Sequence, residues 1–118
     1  MNGLISVNGK ITSPEQAAVP ALDRGFLFGD NVFEVFVCFG EQVLDVKPHL
    51  NRLRASAEAL RMTIPWSDAE LEFELRALSE QVREPKKYLR LVVVNKQCFR
   101  QKSLKTTAMK SIEKEHFV

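Results

Sequence analysis

The chain has 118 residues, of which 45% are hydrophobic and 27% charged; this is the size and composition of one ordinary globular domain. Two cysteines and two histidines are too few for a disulfide framework or a structural metal site. No apolar run approaches the ~20 residues of a membrane helix, and Met1-Asn2-Gly3-Leu4 does not read as a secretory signal, so a reduced, cytoplasmic setting is expected.

Net charge is +2, unevenly spread. Residues 1–94 sum to −2 and residues 95–118 to +4. The sequence therefore divides into one domain over 1–94 and a basic tail over 95–118.

Leu4–Val7, Asn8-Gly9 and Lys10–Thr12 predict a strand, a two-residue turn and a return strand, because Asn-Gly supplies both positive-φ positions of a type I′ turn. Ser13–Ala18 fits one helical turn, and Pro20 keeps Val19 extended. Asp23-Arg24-Gly25 reads as a turn. Val32–Phe39 is β-branched or aromatic nearly throughout, which predicts a central strand covered on both faces. Gly40-Glu41 turns the chain into a short partner strand at Gln42–Leu44. A helix opens near Asp45–Pro48, proline being tolerated in a first turn. Leu50, Leu53, Ala57 and Leu60 form its apolar stripe. Ser67-Asp68-Ala69-Glu70 is a capping box, opening a second helix with Leu71, Leu75, Leu78 and Val82 inward. Pro85 ends it, and Tyr88–Val94 is a further buried-type strand. Nothing after Asn95 shows a clear period. The expected fold class is α+β: a small two-layer domain, with an antiparallel-type sheet and two main helices.

The pattern alone carries little chemistry. There is no phosphate-binding glycine loop and no Ser/His/Asp spacing. Glu34 interrupts an apolar strand, so its carboxylate must meet solvent, a cation or a cavity. His49 and Arg52 lie three apart on one helix; Arg52 is either a solvated helix arginine or a holder of phosphate or carboxylate. Tyr88 and Trp66 read as core or rim packing.

The stretch Asp23-Arg24-Gly25-Phe26-Leu27-Phe28-Gly29-Asp30-Asn31-Val32-Phe33-Glu34-Val35 resembles the signature of fold-type IV pyridoxal-phosphate enzymes. These are the D-amino-acid and branched-chain aminotransferases and aminodeoxychorismate lyase. His49-Leu50-Asn51-Arg52-Leu53, Ile64-Pro65-Trp66 and Tyr88-Leu89-Arg90-Leu91-Val92-Val93 follow in the family's order, so the resemblance covers about residues 3–93.

The resemblance implies the family's smaller N-terminal domain, which packs over pyridoxal 5′-phosphate held by a larger C-terminal domain. It gives Arg52 the cofactor phosphate, and puts Phe33 in the substrate pocket with Val35 on the same strand face. Phe33 stands where D-amino-acid aminotransferases carry tyrosine, and Asn31 replaces a usual glycine. The implied reaction is amino-group transfer between an amino acid and a keto acid, or pyruvate elimination from aminodeoxychorismate. Homodimers or self-association are the expected assembly.

The resemblance stops at Val94-Asn95-Lys96, where the family has threonine-arginine-glycine. The Schiff-base lysine of the large domain has no counterpart here, since Lys105 comes far too early. A frameshift or truncation accounts for such an end. No residue is therefore assigned a catalytic role, and the chain alone is expected to be inactive. The alternative reading is an interaction module whose basic tail meets an acidic partner or nucleic acid. With only Phe99 and Phe117 for stacking, the tail gives nucleic acid little support.

Overall fold

Asn8 and Gly9 both adopt positive φ, at 51° and 85°, and join strands β1 (Gly3–Val7) and β2 (Lys10–Thr12) as the Asn-Gly pair requires. This computed structural model describes residues 3–94 and, as backbone, 103–110. In chain order there follow α1 (Arg24–Phe28), β3 (Asn31–Phe39), β4 (Gln42–Val43), α2 (Val46–Ala59), α3 (Asp68–Glu80), β5 (Lys86–Val94) and β6 (Ser103–Lys110). The strands form one antiparallel sheet in the order β2-β1-β6-β5-β3-β4. The expected α+β class, with two main helices, is the observed one.

Side-chain alternation along the strands decides where the helices go. Val32, Glu34, Phe36 and Cys38 of β3 are buried, as are Lys87, Leu89, Leu91 and Val93 of β5. The apolar ones among them meet Leu50, Leu53 and Ala57 of α2 and Leu71, Leu75 and Leu78 of α3 in one core. Phe33 and Phe39, of the other parity, stay about half exposed, at 49% and 51%. The expectation that β3 is covered on both faces is therefore corrected. In an antiparallel sheet with both long helices on one side, the second face has no cover among the described residues.

The helix ends explain two further differences. Ser67 and Glu70 form the predicted capping box reciprocally. At the end of α2, Arg61 adopts φ 56°. Its amide donates to the Glu58 carbonyl and that of Met62 to the Ala57 carbonyl, which is a Schellman motif. The reversal swings Leu60 outward, 52% exposed, and Met62 inward. Leu60 is thus not the last member of the buried stripe; Met62 takes that place. Asp23-Arg24-Gly25, read as a turn, instead starts α1. Asp23 is buried and its Oδ2 accepts from the Phe26 amide at 3.0 Å, so the helix is capped from inside the protein.

β6 is the largest departure. Ser-Leu-Lys-Thr-Thr-Ala-Met-Lys has no clean period of two, and the sequence reading sets residues 95–118 apart from the domain. The backbone of Ser103–Lys110 nevertheless lies inside the sheet, paired with β1 on one side and β5 on the other. Strand pairing supplies what the pattern lacks: each flanking strand offers a continuous row of amides and carbonyls.

Lys87 is the one buried lysine among the described residues. Its Nζ donates to the Ser79 carbonyl at 2.6 Å, in the last turn of α3. α3 has no basic residue of its own there, so Lys87 brings the favoured charge to that helix end. Burial pushes up the neighbouring Cys38 thiol, against the weaker pull of Ser79 and Lys87. Among the described residues no helix is long and apolar enough to cross a membrane.

Candidate functional site

Glu34 resolves the anomaly that the sequence raised. It is only 7% exposed and points to the helix side of the sheet, where α2 passes. His49 and Arg52 stand three apart on α2, so one turn of helix presents both. Arg52 donates to Glu34 from Nη2 at 2.7 Å and from Nε at 3.0 Å to each carboxylate oxygen, and His49 Nδ1 lies 2.7 Å from Oε1. The His49 ring rests against Phe36, with centroids 4.9 Å apart. Burial raises the Glu34 pKa, but the hydrogen bonds and charges of Arg52 and His49 outweigh it and hold the carboxyl below its usual value. Glu34 in turn raises the pKa of Arg52.

Arg52 itself is 68% exposed. A guanidinium has five N–H donors, and Glu34 engages Nε and Nη2. The outer edge of the fork is thus presented to solvent by a charged brace beneath it. A group so held can meet an oxyanion without first being ordered.

Phe33 and Val35 point to the open face, as their parity demands. Beside them lies Arg90, directly opposite Val35 in the β3–β5 register. Its guanidinium carbon sits 4.4 Å from the Phe33 ring centroid, within cation–π range. Sequence reasoning gave Arg90 no role. Its parity gave little signal, since an outward-facing arginine on a strand is in its ordinary place. Glu34 and Phe33 are neighbours in sequence and opposite in direction. The structure therefore joins Glu34, His49 and Arg52 on one side of the sheet and Phe33, Val35 and Arg90 on the other.

The connection before β3 is rigidly built. Gly29 takes φ 64° at the end of α1, and Arg24 Nε bonds Asp30 at 2.8 Å. Gly25 packs so closely on Val94 that a Cβ there would lie 3.0 Å from both methyls. Asn31, unusual for the motif, is simply the first residue of β3, opposite Val94.

The family model for class IV amino-transferases matches residues 31–113. The chain belongs to the class IV aminotransferase family. Among curated proteins, D-alanine aminotransferase from Listeria monocytogenes is 37% identical over 78 residues, which are 66% of this chain and 26% of that protein. A putative branched-chain-amino-acid aminotransferase from Methanocaldococcus jannaschii is 36% identical over 91 residues, 75% of this chain and 31% of that one. The chain thus spans between a quarter and a third of the length of these class IV relatives.

Solved aminotransferase structures share the fold. A hypothetical aminotransferase from Mycobacterium tuberculosis, in a PLP-bound form, superposes with a TM-score of 0.83 at 18% identity, covering 96% of this chain and 41% of that one. A branched-chain amino acid aminotransferase from Escherichia coli gives 0.80 at 21% identity, covering 93% and 41%. The family match extends beyond Val94 and includes the span of β6.

Proposed function

We propose that this chain is the small, cofactor-covering part of a pyridoxal-phosphate-dependent aminotransferase, that Arg52 supplies one arm to the cofactor phosphate, and that Phe33 and Val35 line the amino-acid side. The observation that carries this reading is the bracing of Arg52 by buried Glu34 and by His49, which leaves an exposed fork of donors. The residues fit the group, because a planar guanidinium matches phosphate oxygens in pairs. When bound, the pyridoxal ring would supply an electron sink for the substrate carbanion. This chain's own residues bind and orient. Glu34 fixes the Arg52 side chain, and His49 Nδ1 meets the same carboxylate oxygen, Oε1, as Arg52 Nη2. Phe33 presents an apolar surface beside the reacting amino acid, with Arg90 next to it for a negative substrate group.

Neither Lys86 nor Lys87 is presented as a nucleophile. Lys87 is buried on a helix carbonyl, and Lys86 lies over the Phe39 and Tyr88 rings. The proposal therefore gives this chain a binding arm and leaves amino-group transfer to the rest of the enzyme type. Exposed Leu22, Phe26 and Phe28 around α1 support self-association or a homodimer, which sedimentation over a concentration series would reveal.

The test is a titration of isotope-labelled chain with pyridoxal phosphate, with pyridoxal as the phosphate-free control. Glu34 already offsets much of the Arg52 charge, so affinity is expected to be weak. Amide shifts should saturate around Arg52 with the phosphate ester alone and vanish in Arg52→Gln. Equal shifts in that variant, or with pyridoxal, would overturn the proposal.

A further inference from the structure

A groove of about 650 Å³ opens between α3 and the Asn8-Gly9 turn. Gly9, Trp66, Ala69, Glu70, Phe73 and Glu74 line it, and none of them belongs to the Arg52 brace or to the face of Phe33. Its volume falls within the roughly 300–1,000 Å³ of ligand sites.

Helical spacing explains the lining. Ala69 and Phe73 stand four apart on α3, as do Glu70 and Glu74, so an apolar row and an acidic row run side by side. Phe73 is 72% exposed. Trp66 packs partly buried against the core, and its carbonyl accepts from Arg54 Nη2 at 2.7 Å. Arg54 is itself neutralised by Asp68. The Trp66 side of the groove is therefore fixed, and among the described residues neither ring carries a cation.

The carboxylates are anchored too. Ser6, 1% exposed, donates from Oγ to Glu74 Oε1, and the Ser67 amide and hydroxyl donate to Glu70 Oε1. Glu74 Oε2 lies 4.0 Å from the point where a Cβ on Gly9 would stand, so the missing side chain leaves that oxygen open to the groove. α3 carries five acids against Arg76 as its one base. Asp68 and Glu72 are paired with arginines, whereas among the described residues Glu70 and Glu74 meet no cation. Like charges four apart on a helix repel, and a cation placed between them relieves that repulsion.

We infer that this groove takes an arginine side chain of a polypeptide partner, with the guanidinium between Glu70 and Glu74 and against the aromatic wall. Charge complementarity selects the cation. Two anchored carboxylates beside two uncapped rings select guanidinium over a compact ammonium, because its planar fork binds carboxylates in pairs and stacks on aromatic faces. The breadth of the groove selects polypeptide: one arginine leaves Ala69 and Phe73 uncovered, and an apolar residue flanking it covers them.

The probe is the blocked tripeptide acetyl-leucyl-arginyl-leucinamide, titrated into the isotope-labelled full chain, with its uncharged citrulline analogue and agmatine as comparisons. Saturable amide shifts are expected at Gly9 and across Trp66–Glu74, weakened by salt, with agmatine binding less tightly and the citrulline peptide about tenfold less tightly. Phe73→Ser and Glu74→Gln should each weaken binding of the arginine peptide about three- to fivefold. Phe73 is exposed and glutamine keeps an acceptor for Ser6, so both variants should fold, which thermal melting checks. No saturable shifts with the arginine peptide, equal binding of the citrulline peptide, binding unchanged in both variants, or agmatine bound as tightly as the peptide would overturn the inference. The pyridoxal phosphate titration reads Arg52 instead, so failure of one experiment leaves the other standing.

Discussion

Replacing Glu34 by glutamine removes one charge from the centre of the Arg52–His49 brace and changes almost no volume. The buried carboxylate accepts short hydrogen bonds from both partners, and such bonds to a charged group contribute about 1.5–3 kcal/mol. Arg52 is largely exposed, so water replaces much of what it loses, and glutamine keeps one acceptor oxygen. A net loss of about 1.5 kcal/mol follows, at the low end of that range. For a domain near this size that is a fall in melting temperature of roughly 6–12 °C. The pH dependence gives a second reading. The folded pKa of Glu34 lies below its ordinary value of 4.5, so its stabilising contribution is present above that value and is lost as pH falls through the folded pKa. Thermal melts of both proteins between about pH 3 and 7 should show a full gap at neutral pH that narrows below the ordinary value of 4.5. Equal melting temperatures at neutral pH, or a gap that does not change on acidification, would refute the brace.

Four further substitutions test the framework. Gly25→Ala forces a methyl against Val94 and the Asp23 carboxylate, at 3.0 and 3.1 Å, and should cost about 1–3 kcal/mol in urea melts. Leu53→Ala, in the fully buried stripe, should cost about 2–5 kcal/mol, while Leu60→Ala should stay within about 0.5 kcal/mol. Arg61→Gly relieves a left-handed residue at the end of α2 and should raise stability by about 1 kcal/mol, seen as a higher urea midpoint at unchanged slope.

The legible parts of the fold were those with local causes. Asn8-Gly9, the Ser67–Glu70 box and the Leu50–Leu53–Ala57 spacing each dictate a conformation within a few residues, and each stands as expected. β6 was illegible because its sequence has no clean period of two and its backbone pairing with β1 and β5 joins residues far apart in the chain. Coverage of β3 was misread for a related reason: a strand of large apolar residues looks the same whether its second face meets this domain or something else. Leu60 shows the same limit, since helical spacing cannot reveal that Arg61 turns the chain before the stripe is complete.

The candidate site was half legible. Glu34 announced itself as a carboxylate in an apolar strand, and Arg52 and His49 shared a helix turn. Their meeting depends on how α2 crosses β3, which spacing does not encode. Arg90 was hidden because its meaning depends on strand register: only the pairing with Val35 puts it beside Phe33.

The central proposal is that Arg52 serves as a binding arm and that no lysine of this chain forms the Schiff base. Its most direct test is the intact mass of the chain after incubation with pyridoxal phosphate and borohydride, with a free lysine analogue in competition. The account predicts only scattered, substoichiometric adducts that the competitor removes. One stoichiometric adduct on a single lysine, resistant to the competitor, would contradict it.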